Sequence, residues 1–147
     1  MSVNQMVEEF LRHRRATEQF CALMPDPHFD YAFREGSLTF GAQAMHLAGA
    51  ADWFLSFVDG VQPARPDPVP QTPAAIRDHL ARNTRTVVAR MEAIDDLERV
   101  VSFWNQGPAP VWAVLGRLRE HEAHHKGQMM QMLRNCGVTE KLFYIVP

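Results

Sequence analysis

Residues 119–128 read Arg119-Glu120-His121-Glu122-Ala123-His124-His125-Lys126-Gly127-Gln128, placing three of the chain's seven histidines within five residues. The flanking sequence has helical periodicity, with Val114, Leu115, Leu118, His121, Glu122, His125, Met129, Met132 and Leu133 recurring on one side. This pattern predicts a helix from about Ala109 or Pro110 to Asn135, stopped by Gly137. On it, His121 and His125 stand one turn apart, roughly 6 Å along the axis, and continue the apolar stripe that Leu118 begins. Two imidazoles so placed can bind one divalent cation side by side. His124 is turned about 100° from His125 and leaves that face.

The same string satisfies HExxH, the pattern in which two helical histidines hold zinc and the glutamate acts as base. Its context argues against a zinc peptidase. No convincing set of strands accompanies it, and the longer metzincin pattern fails because Gln128 stands at its glycine and Gln131 at its last histidine. Glu122, though on the inward side, is turned about 100° from His121, and Glu120 lies on another face, so each reads as a surface or inter-helix ion-pair partner rather than a general base.

The remaining chain reads as further helices. Val3, Met6, Val7, Phe10, Leu11, Phe20 and Leu23 predict a first helix that ends before Pro25-Asp26-Pro27. Arg12-His13-Arg14-Arg15 interrupts it as a basic patch expected on a solvated face, and His13, His28 and His79 read as surface histidines. Ser37 is the expected N-cap of a second helix reaching Val58 and stopped by Asp59-Gly60. Thr72-Pro73 opens a third helix, with Ile76, Leu80, Val87, Met91 and Ile94 inward and an end near Asp95-Asp96. Between them Pro63, Pro66, Pro68, Pro70 and Pro73 mark a stiff crossover, long enough for the chain to travel the length of a bundle. Residues 97–110 contain β-prone Val100, Val101, Phe103 and Trp104 and a turn signal at Asn105-Gln106-Gly107-Pro108. They are too short for a sheet of their own and read as a long loop over one end of the bundle. The tail Leu142-Phe143-Tyr144-Ile145-Val146-Pro147 is apolar and is expected to pack on the domain or a second subunit.

Composition bounds the function. At 147 residues, 46% hydrophobic and 22% charged, the chain has the balance of one soluble domain spanning 1–147. A net charge of −2 argues against a nucleic-acid or anionic-membrane partner. With no membrane-length apolar run and no signal-peptide core, the cytoplasm is the expected location. Cys21 and Cys136 form no metal knuckle and are expected as reduced, buried thiols.

The second helix supplies a partner for the histidine pair. His46 has Ala42, Gln43, Gly49, Ala50 and Trp53 as helical neighbours, most of them small, and Gly49 reads as providing clearance beside it. In a helical bundle, one inward histidine can meet two from a facing helix, leaving coordination positions open for water or substrate. Zinc, nickel, iron and manganese all suit three imidazoles with open positions.

Met45-His46-Leu47, the proline-rich crossover and His121-Glu122-Ala123-His124-His125-Lys126-Gly127-Gln128 together resemble the DinB-like superfamily over nearly the whole chain. The resemblance implies an all-α fold: a four-helix bundle, up-up-down-down with the long Pro-rich crossover, commonly a homodimer. It also implies a divalent-metal site with ligands His46, His121 and His125. Lys126 stands where the family often has arginine, and Gly127 reads as allowing close packing with a neighbouring helix. The activities implied are metal-dependent thiol-S-transfer with a low-molecular-weight thiol, or hydrolysis, on a small-molecule substrate. The alternative is a non-catalytic dimeric binding or stress-response protein with an inert or empty site.

Overall fold

Capping side chains supplied by the sequence open three of the four helices of the computed structural model. The structure describes residues 1–63, 65, 68 and 72–138. Helix α1 (Val3–Leu23) opens with a capping box, in which the Ser2 hydroxyl accepts from the Gln5 backbone and the Gln5 side chain accepts from the Ser2 N–H. Helix α3 (Pro73–Glu92) opens on Thr72 with Pro73 at its first position, as the sequence predicts. Helix α4 runs from Val111 to Asn135.

Helix α2 (Phe40–Asp59) starts later than expected. Thr39 is its N-cap, accepting from Ala42 N–H, while Ser37 closes the preceding turn by donating to Arg34 C=O. Tertiary contact decides this. The Phe40 and Gly41 N–H groups donate to the carbonyls of Tyr31 and Phe29, and a Cβ at Gly41 would sit 3.0 Å from Ile76 Cδ1. The helix ends at Gly60, whose φ of +70° suits glycine. At Gly49 and Gly127 an added Cβ would meet nothing within 4 Å, so close packing requires neither glycine.

The core records the helix directions. One apolar cluster holds Phe10 of α1, Phe54 and Val58 of α2, Met91 of α3 and Val114 of α4. The other holds Phe20 and Met24, Phe40 and Ala44, Ile76, and Met129 and Leu133. Chain order between the clusters therefore makes α2 and α3 parallel to each other and antiparallel to α1 and α4. The four-helix bundle and its long crossover stand, but the order is up-down-down-up rather than up-up-down-down. The reason is the placement of the one long crossover, between the second and third helices, which returns the chain to the end where α2 began. Part of that proline arm (64, 66, 67 and 69–71) and the apolar tail lie outside the described residues.

Two further expectations change. Residues 97–110 are not simply loop: strands β1 (Val100–Ser102) and β2 (Pro108–Pro110) pair antiparallel, Val101 opposite Ala109. Burial of Val101 and Phe103, and the Arg99 guanidinium donating to Val58 C=O at 3.0 Å, dock this short ladder on the end of α2. Helix α3 stops at Glu92, before Asp95-Asp96, and the Asp96 carboxylate caps the Glu98 N–H instead. Of the two thiols, both free, Cys21 is buried and Cys136 only half-buried.

Arg14 is the main surprise. Its basic neighbours predict a solvated side chain, yet it has 0% exposure. Its Nε and Nη2 donate to the two oxygens of Glu122, equally buried, at 3.0 and 2.5 Å. Nη1 reaches Asn83 Oδ1 at 2.8 Å and Thr84 Oγ1 at 3.4 Å, and Nη2 reaches Leu47 C=O at 3.2 Å. The guanidinium thus ties α1 to the other three helices in a polar layer between the two apolar clusters.

Removing one member leaves the other charge buried alone, which costs about 3–5 kcal/mol, whereas replacing both avoids that term. Arg14→Met is expected to destabilise the bundle by about that amount, and Arg14→Met/Glu122→Leu by less than Arg14→Met alone. Urea unfolding followed by circular dichroism measures both, and a double variant less stable than the single one refutes the coupling.

Candidate metal centre

The ion pair determines which way α4 faces. Glu122 points inward to Arg14, so His121 beside it and His125 one turn on are presented toward α2. Helix α2 runs antiparallel there and brings His46 to the same level. The three rings lie 4.5–4.9 Å apart between centroids, and their candidate ligand atoms all fall within 4.8 Å of one another. His46 Nε2 and His121 Nε2 face each other at 3.0 Å. His46 is exposed, His121 half-buried and His125 buried, so the cluster opens to solvent on the His46 side.

A partner absent from the sequence reading holds His125. Gln43, only 4% exposed, places Oε1 2.5 Å from His125 Nδ1. Its own Nε2 donates to Gln128 Oε1 at 3.0 Å, which leaves Oε1 as the acceptor and the proton on His125 Nδ1. The Nε2 lone pair of His125 is then free for a cation, the arrangement by which outer hydrogen bonds orient ligating histidines. Gln43 was visible in the sequence only as a neighbour of His46; its distance to a residue 82 positions away was not. His121 differs, because its Nδ1 is buried without a hydrogen-bond partner and its one polar contact is through Nε2 toward His46.

The other residues singled out lie elsewhere. His124 is exposed and meets Gln128 Nε2 at 3.0 Å, outside the trio. Glu120 is exposed. Glu122 is the inter-helix ion-pair partner expected, in its buried form. His28 is exposed, while His79 is half-buried and so is His13, whose Nδ1 lies 3.0 Å from Lys126 Nζ. A cavity of about 360 Å³ runs along the neighbouring face of α2, bordered by Met45, Gly49, Asp52 and Trp53; none of the three histidines lines it.

The donor set fits a divalent cation. Burial, then the neighbouring histidines, push His121 down to about 4, with Arg14 a smaller contributor. Burial and the charges of His46 and His124 likewise bring His125 to about 4, and burial lowers His46. Neutral imidazole is the ligating form, so all three are prepared at neutral pH. Among the described residues no carboxylate joins them, so a bound ion would keep its full positive charge.

Two expectations follow. Gln43→Leu, which removes the acceptor for His125 Nδ1–H, should weaken zinc binding about 10–100-fold in a chelator competition; unchanged affinity would remove Gln43 from the centre. In chelator-treated protein, His121 and His125 stay neutral down to about 4, while the unfolded chain takes up their protons below 6.5. Their contribution to stability is therefore complete above pH 6.5 and is lost as pH falls toward 4. Urea midpoints of the parent and a His121→Gln/His125→Gln variant across that range report it, the parent falling more steeply.

Comparison with known proteins agrees with this architecture. A sequence profile of the DinB family matches residues 1–146. The uncharacterized protein YjoA of Bacillus subtilis (strain 168) is 26% identical over 146 residues, covering 96% of this chain and 95% of its own. The crystal structure of the DinB-like YjoA superposes with a TM-score of 0.83 at 25% identity, covering 95% of this chain and 97% of that one. YfiT from B. subtilis, described as a probable metal-dependent hydrolase with an unusual four-helix bundle topology, gives 0.70 at 16% identity, covering 93% and 90%. With a profile match along the chain and the bundle in place, the protein belongs to the DinB family.

Proposed function

We propose that the protein is a divalent-metal-dependent enzyme acting on a small molecule, by hydrolysis or by transfer of a low-molecular-weight thiol. One observation carries this reading: three neutral imidazoles from two helices converge at a point that solvent reaches past His46. The description of YfiT as a probable metal-dependent hydrolase supports the reaction class. His46, His121 and His125 would hold the ion, whether zinc, nickel, iron or manganese. Such an ion supplies Lewis-acid activation, lowering the pKa of a water or thiol so that its anion is available at neutral pH.

The chain's own residues do the rest. Gln43 keeps the proton of His125 on Nδ1, away from the cluster. Glu122 is held by Arg14 on the far side, so it neither competes for the ion nor serves as base. The reading carries with it the homodimer that the family resemblance implies.

A second reading, a non-catalytic dimeric binding or stress-response protein with an inert centre, draws on the cavity that passes beside the trio without including it. Metal analysis of the purified protein beside His46→Ala tests the main proposal. The parent is expected to carry stoichiometric metal and the variant to lose most of it, together with thiol-transfer or ester-hydrolysis activity. Equal metal content in the two overturns the assignment, and a metal-loaded parent inert in both reactions favours the second reading.

A further inference from the structure

The tip of the β1–β2 hairpin bears an aromatic residue that folding alone does not account for. Trp104 has a φ of +45°, the one positive φ on a non-glycine residue among those described. Bulky side chains rarely adopt that conformation, and it is normally tolerated where the residue is either locked into a core or used. Trp104 is not in the core: it is 59% exposed. The turn is firmly closed, with Phe103 N–H donating to Gly107 C=O at 2.9 Å and Gln106 N–H to Phe103 C=O at 3.0 Å. It sends Phe103 inward, stacked on Phe54 with centroids 5.8 Å apart, and Trp104 outward.

Outward here means onto Trp53 and into solvent. The Trp104 ring lies 5.7 Å from that of Trp53. Trp53 stands two turns after His46 on α2, so the two residues lie on the same face of that helix. The next residue, Phe54, meets the His121 ring at 5.9 Å and the Trp53 ring at 5.1 Å. A chain of ring contacts therefore runs from His121 through Phe54, which is buried, and Trp53 to Trp104. Trp112, also exposed, has a structural use, since its Nε1–H donates to Glu98 at 3.2 Å; the indole N–H groups of Trp53 and Trp104 have no such partner among the described residues.

We propose that Trp53 and Trp104 form the substrate-binding wall of the histidine site, and that Trp104 selects small molecules carrying a flat apolar or aromatic group next to the atom that reaches the histidines. This rests on the metal-site reading above. The experiment uses cobalt(II)-loaded protein, whose visible bands report uptake before any thiol is added. Benzyl mercaptan and 2-mercaptoethanol are then titrated separately, each followed by its thiolate-to-cobalt absorption.

Benzyl mercaptan is expected to bind about tenfold more tightly, the scale of one added aromatic contact. Trp104→Ala should cut that advantage about fivefold or more, on the same scale, with 2-mercaptoethanol unaffected; Trp104→Phe should keep most of it, and Trp112→Ala all of it. An unchanged ratio in Trp104→Ala overturns the proposal, as does an equal loss for both thiols. A change in oligomeric state by size-exclusion chromatography with the thiol ratio intact would also overturn it and assign Trp104 to a subunit interface. Cobalt uptake equal in the parent and His46→Ala would instead bring down the metal reading itself, before any thiol is compared.

Discussion

A guanidinium buried at the middle of a four-helix bundle is tolerable only if every N–H finds an acceptor. Arg14 achieves this with Glu122, Asn83, Thr84 and the Leu47 carbonyl. The layer continues outward, because Asn83 Nδ2 also donates to Ala48 C=O and Asp52, and Thr84 Oγ1 lies 2.6 Å from Glu18 Oε1. Apolar contacts on either side could slide or rotate at modest cost. This layer cannot, since any shift strands a charge in a low-dielectric interior. It therefore fixes the register of all four helices at one level.

The candidate centre inherits that register. Glu122 lies between His121 and His125 in sequence, so anchoring its carboxylate sets the rotation of α4 and points both histidines at α2. Burial pushes the Glu122 carboxyl up and Arg14 opposes that, while Arg14 also helps keep His121 neutral. Charge is thus confined to the bundle axis, and three uncharged imidazoles occupy the side that solvent can reach. The glutamate of the HExxH string serves the scaffold, which is why the pattern here does not indicate a peptidase.

Around the trio the environment is divided. On one flank the hydrogen-bonded pair Gln43 and Gln128 stiffens His125; on the other, the Phe54 ring meets His121 and is itself packed against Trp53 and Phe103. The small β-ladder matters to this division more than its length suggests. By docking on the end of α2 it places two consecutive aromatics, one into the core and one exposed against Trp53.

Much of this was legible without coordinates. Helical period, the Thr72-Pro73 start and the Gly60 and Gly137 stops all follow from local backbone chemistry, which neighbouring residues largely decide. So did the candidate trio, because His121 and His125 share a helix face and His46 sits on another apolar helix. Periodicity could not show helix direction, which follows from where the crossover lands, nor the Thr39 start of α2, imposed by Tyr31 and Phe29 carbonyls. It placed Arg14 in solvent, because an arginine among basic neighbours reads as exposed until its acceptors, 33 to 108 residues away, come into view. Gln43 was hidden for the same reason. The sequence alone determined the helices and the three histidines; tertiary structure decided what faces them, since a partner distant along the chain leaves no mark in local spacing.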